Sequence, residues 1–150
     1  MYMKTYLKII FSIIFFSITF SQIYQVGEQV SIAHQEQEFD ICYGAEYHGY
    51  DGDDPVFSLG QLNGFTNGGL FYVTMIDLAA SWWNPCWNNI GTMSGIENWY
   101  ANNPNVKIIT NLDDIGQPHS CVSWGNQHGN FDATPLMTDD GVQDVMWGWF

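Results

Sequence analysis

Phe71-Tyr72-Val73-Thr74-Met75-Ile76-Asp77-Leu78-Ala79-Ala80, followed at once by Ser81-Trp82-Trp83-Asn84-Pro85-Cys86, is the stretch that decides the fold. Its first ten residues are apolar or small except for Thr74 and Asp77. Such a run suits a strand buried on both faces. Pro85 fits the first helical position, where its missing N–H has no intrahelical partner anyway. Asn84 just before it is a good N-cap. The stretch therefore reads as buried strand, tight turn and helix N-terminus, with Cys86 in the first helical turn. A thiol there feels the positive end of the helix dipole, which favours its thiolate.

The helix should run from Pro85 to about Ala101 and stop before Pro104. Cys86, Ile90, Met93 and Tyr100 fall near helical spacing. Val106 to Thr110 reads as a second short strand. Strand, long helix and strand form a crossover unit, so the two strands should be parallel. Upstream, Val30-Ser31-Ile32 and Phe39-Asp40-Ile41-Cys42 alternate as edge strands or an N-terminal hairpin would. Residues 44–55 read as a loop. Downstream, residues 117–128 read as a short helix with Cys121 and Trp124, and Thr134-Pro135-Leu136-Met137 as a short strand.

With 150 residues the chain is long enough for one domain with a core. Residues 1–21 stand apart from it. Lys4 and Lys8 make a basic start, Ile9 to Phe20 an apolar run, and Thr19 and Ser21 offer small residues for cleavage before Gln22. This is the pattern of a secretory signal peptide, too short in its apolar run for a membrane span. It predicts an exported protein, periplasmic or extracellular, without stable membrane insertion after cleavage.

All 16 acidic residues lie beyond residue 21, where Lys107 is the sole basic residue and arginine is absent. One positive charge against 16 negative leaves the mature part at −15. Such a surface repels phosphate backbones and excludes nucleic acid as a partner. Aromatics make up 17% of the chain, which separates it from disordered acidic tails.

Cys42, Cys86 and Cys121 allow three single bridges, and an odd count leaves one thiol over. Cys86 begins a helix beside a strand, while the other two sit in looser, polar sequence. The expectation is a Cys42–Cys121 disulfide and a free Cys86, in keeping with an oxidising compartment. Asp51-Gly52-Asp53-Asp54 is too short for a calcium loop and reads as a solvated turn. His119, Cys121 and His128 match no zinc spacing, so neither metal nor other cofactor is expected.

Trp82-Trp83-Asn84-Pro85-Cys86 resembles the Trp-Cys-X-Pro-Cys redox motif of thioredoxin-like proteins, with Trp83 where the family has its attacking cysteine. Phe57-Ser58-Leu59-Gly60-Gln61-Leu62-Asn63-Gly64 resembles the lead-in of the exported TlpA/ResA and AhpC/TSA-type members. Asp77 stands six residues before Trp83, the offset of the buried aspartate in thioredoxins. The resemblance spans about residues 55–145. It implies an α/β, thioredoxin-like fold, with residues 22–54 as an N-terminal β extension and loop and residues 55–150 as an incomplete thioredoxin-like domain. It also implies thiol–disulfide chemistry, in which Asp77 takes the proton of Cys86. Partners would be protein thiols or disulfides, or a bound peptide. Because exchange needs two thiols, the alternatives are a redox-inactive binding module working through Trp82, Trp83 and Pro85, or a structural domain of a larger secreted protein. The family's cis-proline has Pro135 as its candidate here. If Pro135 instead belongs to the strand after the second helix, the cis-proline loop and last hairpin would lie beyond Phe150.

Overall fold

The computed structural model describes residues 23–113, 115, 117–127, 134–141 and 145–150. The signal-peptide reading and His128 lie outside the described residues. The chain is an α/β protein. Its strands are β1 (Phe39–Tyr43), β2 (Val56–Phe57), β3 (Val73–Ala80), β4 (Val106–Asp113) and β5 (Leu136–Asp139). They form one mixed sheet in the order β2-β1-β5-β4-β3. The described helices are α1 (Ile32–Gln35), α2 (Asn84–Tyr100) and α3 (Cys121–Gln127).

The crossover unit forms as its pattern predicts. β3 and β4 run parallel in unbroken register, from Val73 opposite Val106 to Ala80 opposite Asp113, joined by α2. β5 follows α3 and adds parallel to β4, while β1 closes antiparallel on β5. A buried polar pair marks the register of β4 and β5. Thr138 Oγ1 donates to Asn111 Oδ1 at 2.6 Å, and the two residues are directly paired. One register fits this hydrogen bond, because a slip would leave both groups buried without it.

Both sheet faces carry a core. On one, Phe39, Ile41, Phe57, Ile109 and Leu136 pack with Met146 and Trp149 near the end of the chain. Trp149 stacks on His34 at 4.5 Å and meets Phe39 edge-on at 5.7 Å. Trp149 is thus core packing, while Phe150 after it is 54% exposed. On the other face, Ala79, Leu112 and Met137 pack with Ile90 of α2 and with Cys121 and Trp124 of α3. Gly125 of α3 lies so close to Tyr43 that an added Cβ would run into its ring. The N-terminal β segment belongs to this same sheet, since β1 lies between β2 and β5.

Three expectations need correction. First, β3 is an outer strand of the sheet and is not buried on both faces. Val73 is 70% exposed and only Ala79 and Ala80 are buried. A ten-residue apolar run shows that a strand forms, but not how many neighbours it has. Second, Val30-Ser31-Ile32 is no strand. Ser31 caps α1 by accepting the His34 N–H at 3.2 Å, which commits the segment to a helical turn. Third, Asn84 is the first residue of α2 and Trp83 is its N-cap, extended at φ −92° and ψ 107°. Pro85 falls one position further in, where its lack of an N–H is still harmless.

The loop before β2 contains a 3-10 turn, Glu46–His48. His48 fastens it to the chain entering β5 by donating from Nε2 to the Thr134 carbonyl at 2.7 Å. Burial holds the His48 ring below its ordinary pKa of 6.5, with the Thr134 bond opposing and Lys107 assisting. The folded chain therefore binds this proton less readily than the unfolded chain. Its stabilising effect is complete above pH 6.5 and fades as pH falls through the folded value. The stability advantage of wild type over His48→Gln in urea should shrink as pH drops from 7 towards 5. An advantage that grows on acidification would contradict the assignment.

Candidate functional site

Chemistry is concentrated where β3 ends and α2 begins. Ser81 N–H bonds the Asp113 carbonyl at 3.1 Å, extending the β3–β4 pairing by one step. The chain then turns, with Trp83 N–H on the Ala80 carbonyl at 3.1 Å. The first turn of α2 closes from Cys86 N–H to the Trp83 carbonyl at 3.0 Å. Cys86 therefore sits in the first helical turn, as its spacing predicts.

The site residues divide by exposure. Trp82 and Trp83 are 54% and 50% exposed, and Asn84 and Pro85 are also exposed. Cys86 is half-buried and packs against the core cluster beneath the helix. Asp77 is half-buried as well. Strand alternation places it on the same sheet face as Ala79, which belongs to the cluster that Cys86 joins. Asp77 and Cys86 thus share a face of the sheet.

Beside the motif lies an aromatic wall. Trp87 stacks on His119 at 3.6 Å between ring centres and 11° between planes. It meets Trp124 edge-on at 5.4 Å. Such contacts add stabilisation beyond the area they bury. They also occupy His119, and Cys121 is bound to Cys42. Among the described residues no group of three or more His, Cys, Asp or Glu could hold a metal ion. Asp51, Asp53 and Asp54 are exposed.

The disulfide joins Cys42 to Cys121, leaving Cys86 free. Sheet geometry explains how Cys42 reaches α3. The pairing of β1 with β5 shifts between Ile41 and Tyr43, a bulge centred on Cys42. Strand alternation alone sends Cys42 to the face opposite Ile41, and the shift brings Tyr43 round to that same face. Phe39 and Ile41 face one core, whereas Cys42 and Tyr43 pack in the other, beside Cys121.

One feature of the site escaped the sequence reading. The Gln117–Pro118 peptide bond is cis, and the Gln117 carbonyl accepts the Ser81 Oγ hydroxyl at 3.1 Å. A cis-proline loop thus touches the residue that precedes Trp82. Pro135, the candidate from sequence, has no cis bond and enters β5 instead. Only the Gln-Pro dipeptide marked the site, and such a dipeptide does not reveal its isomer.

No protein family, curated protein or solved structure matches this chain.

Proposed function

We propose that this chain is a thioredoxin-like module of an exported, oxidising compartment. It binds an extended polypeptide across Trp82 and Trp83 and does not turn over disulfides. The observation that supports this most is the pair of half-exposed indoles where an attacking thiol would stand. Large aromatic side chains held on a rigid turn supply contact area at low entropic cost and are enriched in binding surfaces. A half-buried Cys86 could resolve a mixed disulfide only if a first thiol formed one, and Trp83 supplies none. The Cys42–Cys121 bond fits an oxidising compartment.

Two measurements test the reading. Insulin reduction by the mature protein should show no turnover. Turnover that disappears in Cys86→Ser would assign catalysis to the single thiol and reject the binding role. Peptides recovered from a displayed library should lose about ten-fold or more in affinity when Trp82 and Trp83 are both changed to alanine, the scale of an aromatic hot spot. Equal affinity for both proteins would place peptide binding elsewhere.

A further inference from the structure

The outer edge of β3 is a surface apart from the turn that follows it. Among the described residues β3 has one strand neighbour, β4. The direction of its hydrogen bonds follows from the two ends of that pairing. Val73 N–H bonds the Asn105 carbonyl at 2.8 Å, and Ser81 N–H bonds the Asp113 carbonyl at 3.1 Å. Because the register between them is unbroken, the odd-numbered residues of β3 turn both backbone groups to β4. The N–H and C=O of Thr74, Ile76 and Leu78 therefore point away from the sheet, to an edge where no described strand lies.

Such a row is a template for another strand, and folded proteins blunt it with a short strand, a bulge, a proline or charged residues. β3 has eight residues, pairs with β4 without a bulge, and contains neither proline nor lysine. Asp77 is its one charged residue. Val73 and Met75 are exposed on one face of the strand, and Leu70 and Phe71, which lead into it, are exposed as well.

The opposite face offers a place for a side chain. Ile76 and Leu78 pack there against the core that holds Ile109. Thr74 opens onto a groove of about 290 Å³, lined also by Leu59, Leu62 and Phe65. Lys107 pairs with Thr74 across the ladder, so it lies on this face and its charge opposes a basic side chain there. A strand laid along β3 turns every second side chain to the groove face. The one beside Thr74 is therefore apolar, and basic residues belong beyond Leu78, at the other end of the strand.

Charge selects the occupant. Beyond residue 21 the chain has 16 acidic residues and Lys107 as its sole base. Edge-to-edge pairing of two copies would bring two such surfaces together, whereas a cationic segment is attracted. We propose that the open edge of β3 binds an extended cationic peptide. The peptide adds to the sheet as a further strand, sets an apolar side chain in the groove beside Thr74 and carries its basic residues past Leu78. Main-chain bonds to Thr74, Ile76 and Leu78 supply affinity, and the groove supplies selectivity. The site does not depend on the indoles of Trp82 and Trp83.

The probe is a short peptide of alternating valine and threonine with paired lysines at one end, free to run in either direction. Saturating amounts should slow amide hydrogen exchange at Ile76 and Leu78 about ten-fold or more. The same peptide with glutamates for lysines should bind about ten-fold more weakly. Methyl groups on alternate peptide amides should abolish binding when they face β3, and the intervening set should be tolerated. Thr74→Pro removes an outward N–H and no bond to β4, a change that edge strands accept, and should weaken binding about ten-fold. Should that variant fail to fold, the methylated peptides decide. Joint replacement of Trp82 and Trp83 by alanine should leave the slowing intact. Unchanged exchange at Ile76 and Leu78, equal binding of the glutamate peptide, or one response to both methylated sets would overturn the proposal. So would a loss in the Trp82 and Trp83 variant with retention in Thr74→Pro, which would place the peptide on the turn. Slowing that grows with protein concentration in the absence of peptide would show a second copy on the edge, and would overturn it too.

Discussion

Removing the Cys42–Cys121 bond by changing both residues to alanine should destabilise the protein by about 4 kcal/mol. The two cysteines are 79 positions apart, and the unfolded-state entropy removed by a cross-link grows with the logarithm of the loop it closes. Nothing in the native contacts needs to change for this effect to appear. Tm should fall by about 15 °C, the shift expected for that loss in a domain of this size. Reducing agent should lower the wild-type Tm similarly and leave the double variant unaffected. Cys86→Ser, which leaves the bond intact, should shift Tm far less. Calorimetric scans of the three proteins, the first two with and without reductant, decide the matter. A drop of less than about 3 °C on removing the bond would mean that the reduced unfolded chain is already confined by other contacts.

Trp83→Cys should give a turn that forms and breaks a second disulfide. Trp83 is half-exposed, so losing its indole leaves little cavity. Positions 83 and 86 span the first turn of α2, and residues three apart on a helix lie within disulfide reach. A thiol at position 83 would hold the N-cap place, with the positive end of the helix dipole directed at it. Its pKa should fall below the free value of about 8.5. The excess of carboxylates over Lys107 beyond residue 21 opposes a new anion, but exposed charges beyond about 10 Å are screened while the dipole acts at contact range. Thiol titration should find one free thiol in wild type and none in the oxidised variant. Absorbance of the thiolate against pH gives the pKa. A raised pKa, or no new bridge in a glutathione buffer, would show that the turn does not support a reactive thiol at position 83.

The crossover unit was legible because three signals agree there. An apolar run, a proline at a helix start and the spacing of Cys86, Ile90, Met93 and Tyr100 point to the same local structure. The disulfide was legible because the position of Cys86 at a helix start set it apart from the other two. The outer place of β3 was not, since periodicity reports burial along one strand and not which strands lie beside it. The cap was misread because Asn84 and Trp83 compete for adjacent positions and residue preference cannot count the turn. Ser31 was read as part of an alternating strand although its hydroxyl equally suits a cap. The groove beside Thr74 had no sequence signature, because its residues run from Gln29 to Thr74 and only the fold brings them together.

The placement of Cys42 has a topological effect. Because that side chain faces α3, the covalent bond encloses β2, β3, α2 and β4 within one closed ring of chain. The exposed stretch that includes Phe65, Leu70 and Phe71 lies inside this ring. A protease that cuts there opens the ring but leaves both pieces linked through sulfur. The cut protein would keep its mass under non-reducing conditions and separate into two fragments only when the bond is reduced. The molecule can thus be nicked at an exposed loop and remain one covalent body.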